Sequence, residues 1–196
     1  MSDIFETIEC HLPPYLSPKQ KEDLYKELKA FPESFSYYYN RSRFNDELLQ
    51  GDGWSDFAVI DSETMEKKQT RAIVLSNTCD VDPNNKRALP PKIIFAPLVK
   101  INRYKNLLEN FGLPQKEINN KLGAIRRQEI TSIFYLPAGG KLEEEYMINL
   151  DDLHSQPLTN FHKREKLFTL SLQGFYIFIL KLSIHFCRFN DGVIRL

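Results

Sequence analysis

The stretch that most constrains this chain is its last apolar run, GFYIFILKLSIHF, residues 174–186. Phe175, Phe178, Ile179, Leu182, Phe186 and Phe189 fall on one stripe of a helix, and Tyr176, Ile177, Leu180 and Ile184 cover much of the rest. A helix apolar nearly all round must be buried on several sides. The run is too short to span a bilayer, and Lys181 and His185 interrupt it. The spacing therefore predicts a closing helix over about 172–189, packed on a core that the preceding chain builds. One small core covers only part of its circumference. An N-terminal helix or a second subunit must cover the remainder, and a two-fold homodimer is the expected solution.

The chain upstream has the texture of strands. GWSDFAVID alternates, with Trp54, Phe57, Val59 and Ile60 as its apolar members, and DSETMEKKQT reads as a charged loop. RAIVLS, KIIFAPLV, SIFYLPA, EYMINLDDL and KLFTLS read as further short strands. Between Ile101 and Glu129 the texture changes. Tyr104, Leu107, Leu108 and Phe111 have helical spacing, Gly112 and Pro114 break it, and a second, polar helix follows. Near the start, Ser17 suits a helix N-cap and Pro18 the first helical position. Leu24, Leu28 and Phe31 then share a face until Pro32 ends the helix. The expected organisation is an N-terminal helical appendage over 1–45 and a mainly β domain over 46–196, with a helical insertion at about 101–129. Short strands with turns and a closing helix predict a small barrel with helical additions. The segment SFSYYYNRSRF carries three consecutive tyrosines, Tyr37 to Tyr39, beside arginines. Such a segment either packs as a collar on the core or stacks on bases.

Charge and cysteine usage narrow the class. Lys+Arg and Asp+Glu are both 26, so no global field draws this chain to nucleic acid or membrane, and such binding requires a local patch. The three cysteines, Cys10, Cys79 and Cys187, form neither a disulfide framework nor a zinc pattern and fit a reducing, cytoplasmic setting. The N-terminal residues lack the basic and apolar regions of a signal peptide. No membrane, metal or cofactor is expected.

The polar stretch LSNTCDVDPNN, residues 75–85, is the densest set of candidate functional groups. Asp80-Val81-Asp82-Pro83-Asn84 opens like a calcium loop, but Asn85 stands where glycine is needed and Pro91 where the bidentate glutamate belongs. Cys79 as a nucleophile requires a nearby base. His11, His154, His162 and His185 are all remote in sequence, and a small thiol in a turn is the plainer reading. Asn77, Thr78 and Asp80 are suited to satisfying turn amides after a strand.

The order of elements carries a resemblance. Gly51-Asp52 and then Trp54, Arg71 opening a strand that ends at Ser76, Phe95-Ala96-Pro97-Leu98, and Asn149-Leu150-Asp151-Asp152-Leu153 resemble the MazF/PemK-type toxins over roughly residues 50–190. The Ser-Asn-Thr-Cys-Asp segment marks a divergent member. The resemblance implies an SH3-like barrel, a homodimer, and a metal-independent endoribonuclease acting on single-stranded RNA. It places Arg71 on the scissile phosphate. Two positions depart from the family pattern. Ala72 follows the arginine where proline is usual, and Val99 occupies the place of the catalytic hydroxyl. Cleavage would then draw its acid–base groups from Thr78 or Asp80, with Asp52, Trp54, Ser76, Asn77 and Cys79 contacting substrate. The alternative is a non-catalytic barrel. It would serve as a binding or adaptor component of a bacterial phage-defence or toxin–antitoxin-like system, with an antitoxin or defence protein as partner.

Overall fold

The computed structural model describes Lys19, Lys26 and residues 36–61, 64–82, 84–85, 87–161 and 165–187. The chain divides into two compact units, Met1–Ser36 and Tyr37–Leu196. In the first, Lys19 and Lys26 are helical and exposed. The rest of the expected N-terminal helix lies outside the described residues, as does Phe189. The division falls before the expected 45/46 boundary because the three tyrosines join the second unit. Tyr37 meets Tyr135 edge-on with ring centroids 6.1 Å apart, Tyr38 forms a bridge with Leu170, and the Tyr39 N–H donates to the Thr169 carbonyl at 2.9 Å.

The described residues of the second unit form two antiparallel sheets and three α-helices. The strands are β1 (Gly53–Ile60), β2 (Lys67–Val74), β3 (Lys92–Pro97), β4 (Val99–Lys100), β5 (Ile133–Leu136), β6 (Tyr146–Asn149), β7 (His154–Pro157) and β8 (Lys166–Phe168). The helices are α1 (Ile101–Asn110), α2 (Gln115–Arg126) and α3 (Leu172–Cys187). One sheet has the order β7-β3-β2-β1-β8 and the other β4-β6-β5. Hydrogen bonding leaves β7 and β8 as outer strands, so the five-stranded sheet is open. The insertion over 101–129 is helical as expected. Two details differ from the sequence reading. Lys67–Thr70, expected as loop, pair with Phe57–Ile60 as an extension of the β1–β2 hairpin. Their exposed side chains carry no apolar alternation to reveal a strand. The polar strand β7, HSQP, was not anticipated; it is an edge strand ended by Pro157, where proline is tolerated.

The sheet alternation sorts side chains between two faces. Trp54, Phe57, Ala72, Val74, Val81, Ile93 and Phe95 form one core cluster, with Phe57 stacked on Phe95 at 4.3 Å between centroids. Ile73 lies between Ala72 and Val74 on the opposite face and is equally buried. The β1 ladder slips between Trp54 and Phe57, and Asp56 takes a left-handed backbone (φ 65) in that bulge.

Asp52 and Lys166 form a buried ion pair, Nζ to Oδ2 at 2.7 Å. The Asp52 carboxylate also accepts from the Leu49 N–H at 2.8 Å, and the Lys166 ammonium reaches the Phe44 carbonyl at 2.5 Å and stands 5.0 Å from the Trp54 ring centre. The pair thus ties the loop before β1 to β8.

Helix α3 begins at Ser171, whose Oγ accepts from the Gly174 N–H at 3.0 Å. Its most buried line is Gly174, Ile177, Phe178 and Lys181, rotated from the stripe Phe175, Phe178, Ile179, Leu182 and Phe186 that the spacing suggests, with Phe178 common to both. Two residues cause the rotation. Gly174 lies so near the Tyr37 carbonyl that a Cβ there would sit 2.5 Å from its oxygen. Lys181 donates to the Gln128 carbonyl at 2.9 Å and also to the Ile130 carbonyl, closing the end of α2. Ile184 and Phe186 remain exposed at the far end.

Two predictions follow from these buried charges. Asp52→Asn should cost on the order of 3–5 kcal/mol in urea unfolding, because it strands the Lys166 ammonium. Combining it with Lys166→Met should recover most of that loss; additive losses would show the pair to be uncoupled. The second concerns pH. Burial pushes the Lys181 pKa down to about 8. Above that pH the folded chain has released a proton that the unfolded chain holds until about pH 10.4. The unfolded state binds more protons in that window, so stability from this group rises with pH. Tyr37, raised to about 12 by burial, works in the opposite sense above about pH 10. Unfolding at pH 7.5 and 9.5 should therefore show a gain in the wild type that Lys181→Met lacks.

Candidate functional site

The turn after β2 uses its polar groups on itself. Ser76 Oγ accepts from the Ile94 N–H at 2.7 Å. Asn77 Oδ1 accepts from the Cys79 N–H at 2.9 Å and caps the 3-10 turn Thr78–Asp80. Thr78 Oγ1 accepts from the Gln50 N–H at 3.0 Å, and Asp80 pairs with Arg87. Asn85 Nδ2 donates to the Cys79 carbonyl at 3.0 Å. The Cys79 thiol is free and exposed. The two described histidines are engaged elsewhere, His154 with Asp152 at 2.9 Å and His185 with Asp151 at 3.1 Å.

Asp52 and Trp54, expected to contact substrate, are instead inside the protein. Burial pushes the Asp52 carboxyl up, while the Lys166 ammonium, the Leu49 N–H and the Thr169 hydroxyl pull it back. Trp54 packs edge-on against Phe161 at 5.5 Å between centroids. Both residues position β1 and present no polar group to a ligand at the surface.

Arg71 is exposed, as Asn77 and Asp80 are, but unlike them it serves no turn. Pairing of β2 with β3 and of β4 with β6 brings Arg71 beside Leu98, Val99, Lys100, Arg103 and Tyr146, which line a cleft of about 310 Å³. Arg71 Nη1 donates to the Tyr146 hydroxyl at 3.1 Å. Among the described residues Arg71 and Arg103 have no carboxylate partner. Lys100 pairs with Glu144, which raises its pKa, while the Arg71 charge lowers it.

The cleft also holds the N-terminus of α1. Lys100 is its N-cap and makes no side-chain cap, and the first turn holds no acidic residue. The Ile101 N–H donates to the Glu145 carbonyl at 3.0 Å. A helix N-terminus is the positive end of its dipole and favours anions. Here it is surrounded by three cations, an arrangement suited to a phosphate or carboxylate.

The structure does not bring the other expected catalytic groups to this cleft. Thr78 lines a different cavity of about 510 Å³ with Asp46, Glu47, Asp82, Leu158 and Phe161. Lys100, Arg103 and Tyr146 were missed by the sequence reading. A signal for the first two exists: cations at both ends of the first turn of a predicted helix oppose its dipole. Tyr146 carried none, because only the pairing of β6 with β4 brings it to Arg71. No protein-family model matches the chain, and no curated protein matches it.

If the Ser-Asn-Thr-Cys-Asp turn is architecture, its residues should report as such. Asn77→Ala should lose about 1 kcal/mol with its cap. Cys79→Ser should change stability by less than about 0.5 kcal/mol, as exposed substitutions usually do. Urea unfolding checks both, and a large loss at Cys79 would contradict this.

Proposed function

We propose that this is a MazF/PemK-like protein, built on a divergent, open SH3-like barrel, that binds single-stranded RNA by its phosphates at the Arg71 cleft without cutting it. The observation that carries the reading is the cleft itself. The resemblance implies an arginine and a catalytic hydroxyl together on the phosphate, and here Arg71 and Val99 line one cleft, with the hydroxyl position filled by a hydrocarbon.

Phosphate recognition is well supported. Arg71 offers a planar fork of donors, Tyr146 Oη accepts one of its N–H groups and keeps its own proton for a phosphate oxygen, and Lys100 and Arg103 add charge. Cleavage is not. Attack by a 2′-hydroxyl needs a base for its proton and an acid for the leaving oxygen. The residues lining the cleft hold no carboxylate and no imidazole. Thr78 and Asp80, which the sequence offered for that work, serve the turn after β2. The alternative reading, a non-catalytic binding component of a bacterial defence or toxin–antitoxin-like system, is therefore the one that this geometry favours.

Fluorescence anisotropy with a labelled single-stranded RNA tests it. Three phosphate contacts predict a slope of log K against log salt of about −2, and Arg71→Ala should reduce its magnitude by about 0.7. The RNA should be recovered intact. Binding indifferent to Arg71→Ala would overturn the site, and cleavage that depends on Arg71 would restore the endoribonuclease.

A further inference from the structure

The aromatic-plus-arginine segment at 37–45 takes no part in the Arg71 cleft, and its three tyrosines do different work. Tyr37 is buried on Tyr135, and its hydroxyl receives the Gln128 amide at 3.3 Å. Tyr38 packs on Phe168 at 5.1 Å and donates its hydroxyl to the Pro137 carbonyl at 2.6 Å. Both rings are spent on the core. Tyr39 is held by its backbone to Thr169, and its ring touches Phe44 while also lining a cavity of about 450 Å³. That volume lies in the range of about 300–1,000 Å³ common for small-ligand sites.

The other walls of this cavity have complementary chemistry. Asn40, Arg41 and Asn45 form one side, and Gly140 and Lys141 belong to another. The Asn40, Arg41 and Asn45 side chains make no hydrogen bond among the described residues. At the base stands Lys166, whose side chain is 10% exposed and is neutralised by Asp52. Lys141 is offset by Glu165 at 3.2 Å. Arg41 is the cation left without a carboxylate among the described residues lining the cavity. One uncompensated guanidinium suits one phosphate group. An aromatic face suits a base, which every nucleotide offers, and free amides suit the donors and acceptors on a base edge.

We propose that this cavity is a nucleotide subsite, with the base against Tyr39, its edge read by Asn40 and Asn45, and its phosphate on Arg41. The occupant is a nucleoside monophosphate, free or as one unit of a single strand. The second source rests on the RNA-binding reading above; the first does not. The subsite also accounts for the third tyrosine without a role in packing the core.

The test follows amide resonances of Gly140, Lys141 and Thr169 in labelled protein. Adenosine and uridine 5′-monophosphates and inorganic phosphate are titrated separately, and a short single-stranded RNA is run beside them. At least one nucleotide should shift these resonances at millimolar concentration, with inorganic phosphate at least about tenfold weaker, since it lacks the stacked base. Arg41→Ala, at an exposed position, and Tyr39→Leu, which keeps apolar contact with Phe44 and removes the π face, should each weaken the nucleotide about tenfold or more. No shift with either nucleotide, equal binding of phosphate alone, or indifference to Arg41→Ala with the spectrum otherwise native overturns the subsite. RNA binding that needs Arg71 but not Arg41 leaves the RNA reading standing and removes the strand as occupant. Nucleotide binding without RNA binding removes the RNA reading and leaves the free nucleotide as the occupant.

Discussion

The buried pair Asp52–Lys166 is the constraint on which the arrangement of this unit depends. Its members come from opposite ends of the unit's chain, and their partners close the loop before β1 onto β8. Removing two charges from water is expensive, and a pair of this kind gains little net stability over a well-packed apolar substitute. What it supplies is direction. An apolar pair tolerates sliding, whereas an ammonium between a carboxylate, the Phe44 carbonyl and the Trp54 face has one satisfactory position. That position sets β8 against β1 at Gly53↔Phe168 and Trp54↔Lys166, with a slip between them. Gly53 is required by the same closeness, since a Cβ there would lie 2.2 Å from the Phe168 ring. The closing helix begins directly after this strand, so an error here would misplace α3.

Where local pattern and local structure agree, the sequence was legible. Alternation in β1 and the apolar runs of β2 and β3 announced the central strands, and the break at Gly112-Pro114 separated α1 from α2. Elements that owe their form to a distant partner were not visible. β7 exists because β3 offers a free edge, and its own residues are polar. The buried line of α3 was misread for a related reason. Its periodicity marks the phenylalanines, but Gly174 wins the closest approach by lacking a side chain, and Lys181 wins a buried place through the two carbonyls at the end of α2. A lysine with its charge disfavoured by burial still retains two hydrogens when neutral, enough for both acceptors.

The candidate site divides in the same way. Arg71 stood out through the resemblance, which implies an arginine at the start of an apolar strand. The Ser-Asn-Thr-Cys-Asp turn stood out by density of functional groups, and density misled. Ser, Asn, Thr and Asp are the residues that best replace backbone partners where a strand ends; Ser76, Asn77 and Thr78 do so here, and Asp80 is spent on the Arg87 guanidinium. A cluster of such residues near a strand end is therefore weak evidence of chemistry until their hydrogen bonds are accounted for. Once they are, the turn explains itself and Arg71 is left with neighbours that arrived from β4, α1 and β6.

Those neighbours carry the last step. The chain is neutral overall, with 26 acidic and 26 basic residues. Its cations therefore have to be concentrated locally against an average that offers carboxylates everywhere. Arg71, Lys100 and Arg103 are gathered at the positive end of α1, where each repels the others and the helix dipole. Within the isolated protein this repulsion is outweighed at Lys100, where Glu144 raises the pKa more than the Arg71 charge lowers it. An anion in the cleft relieves it, and a ligand that binds only the folded state stabilises that state by mass action. In this protein the Arg71 cleft keeps two guanidinium groups without a carboxylate among the described residues, whereas the polar groups of the turn are already engaged.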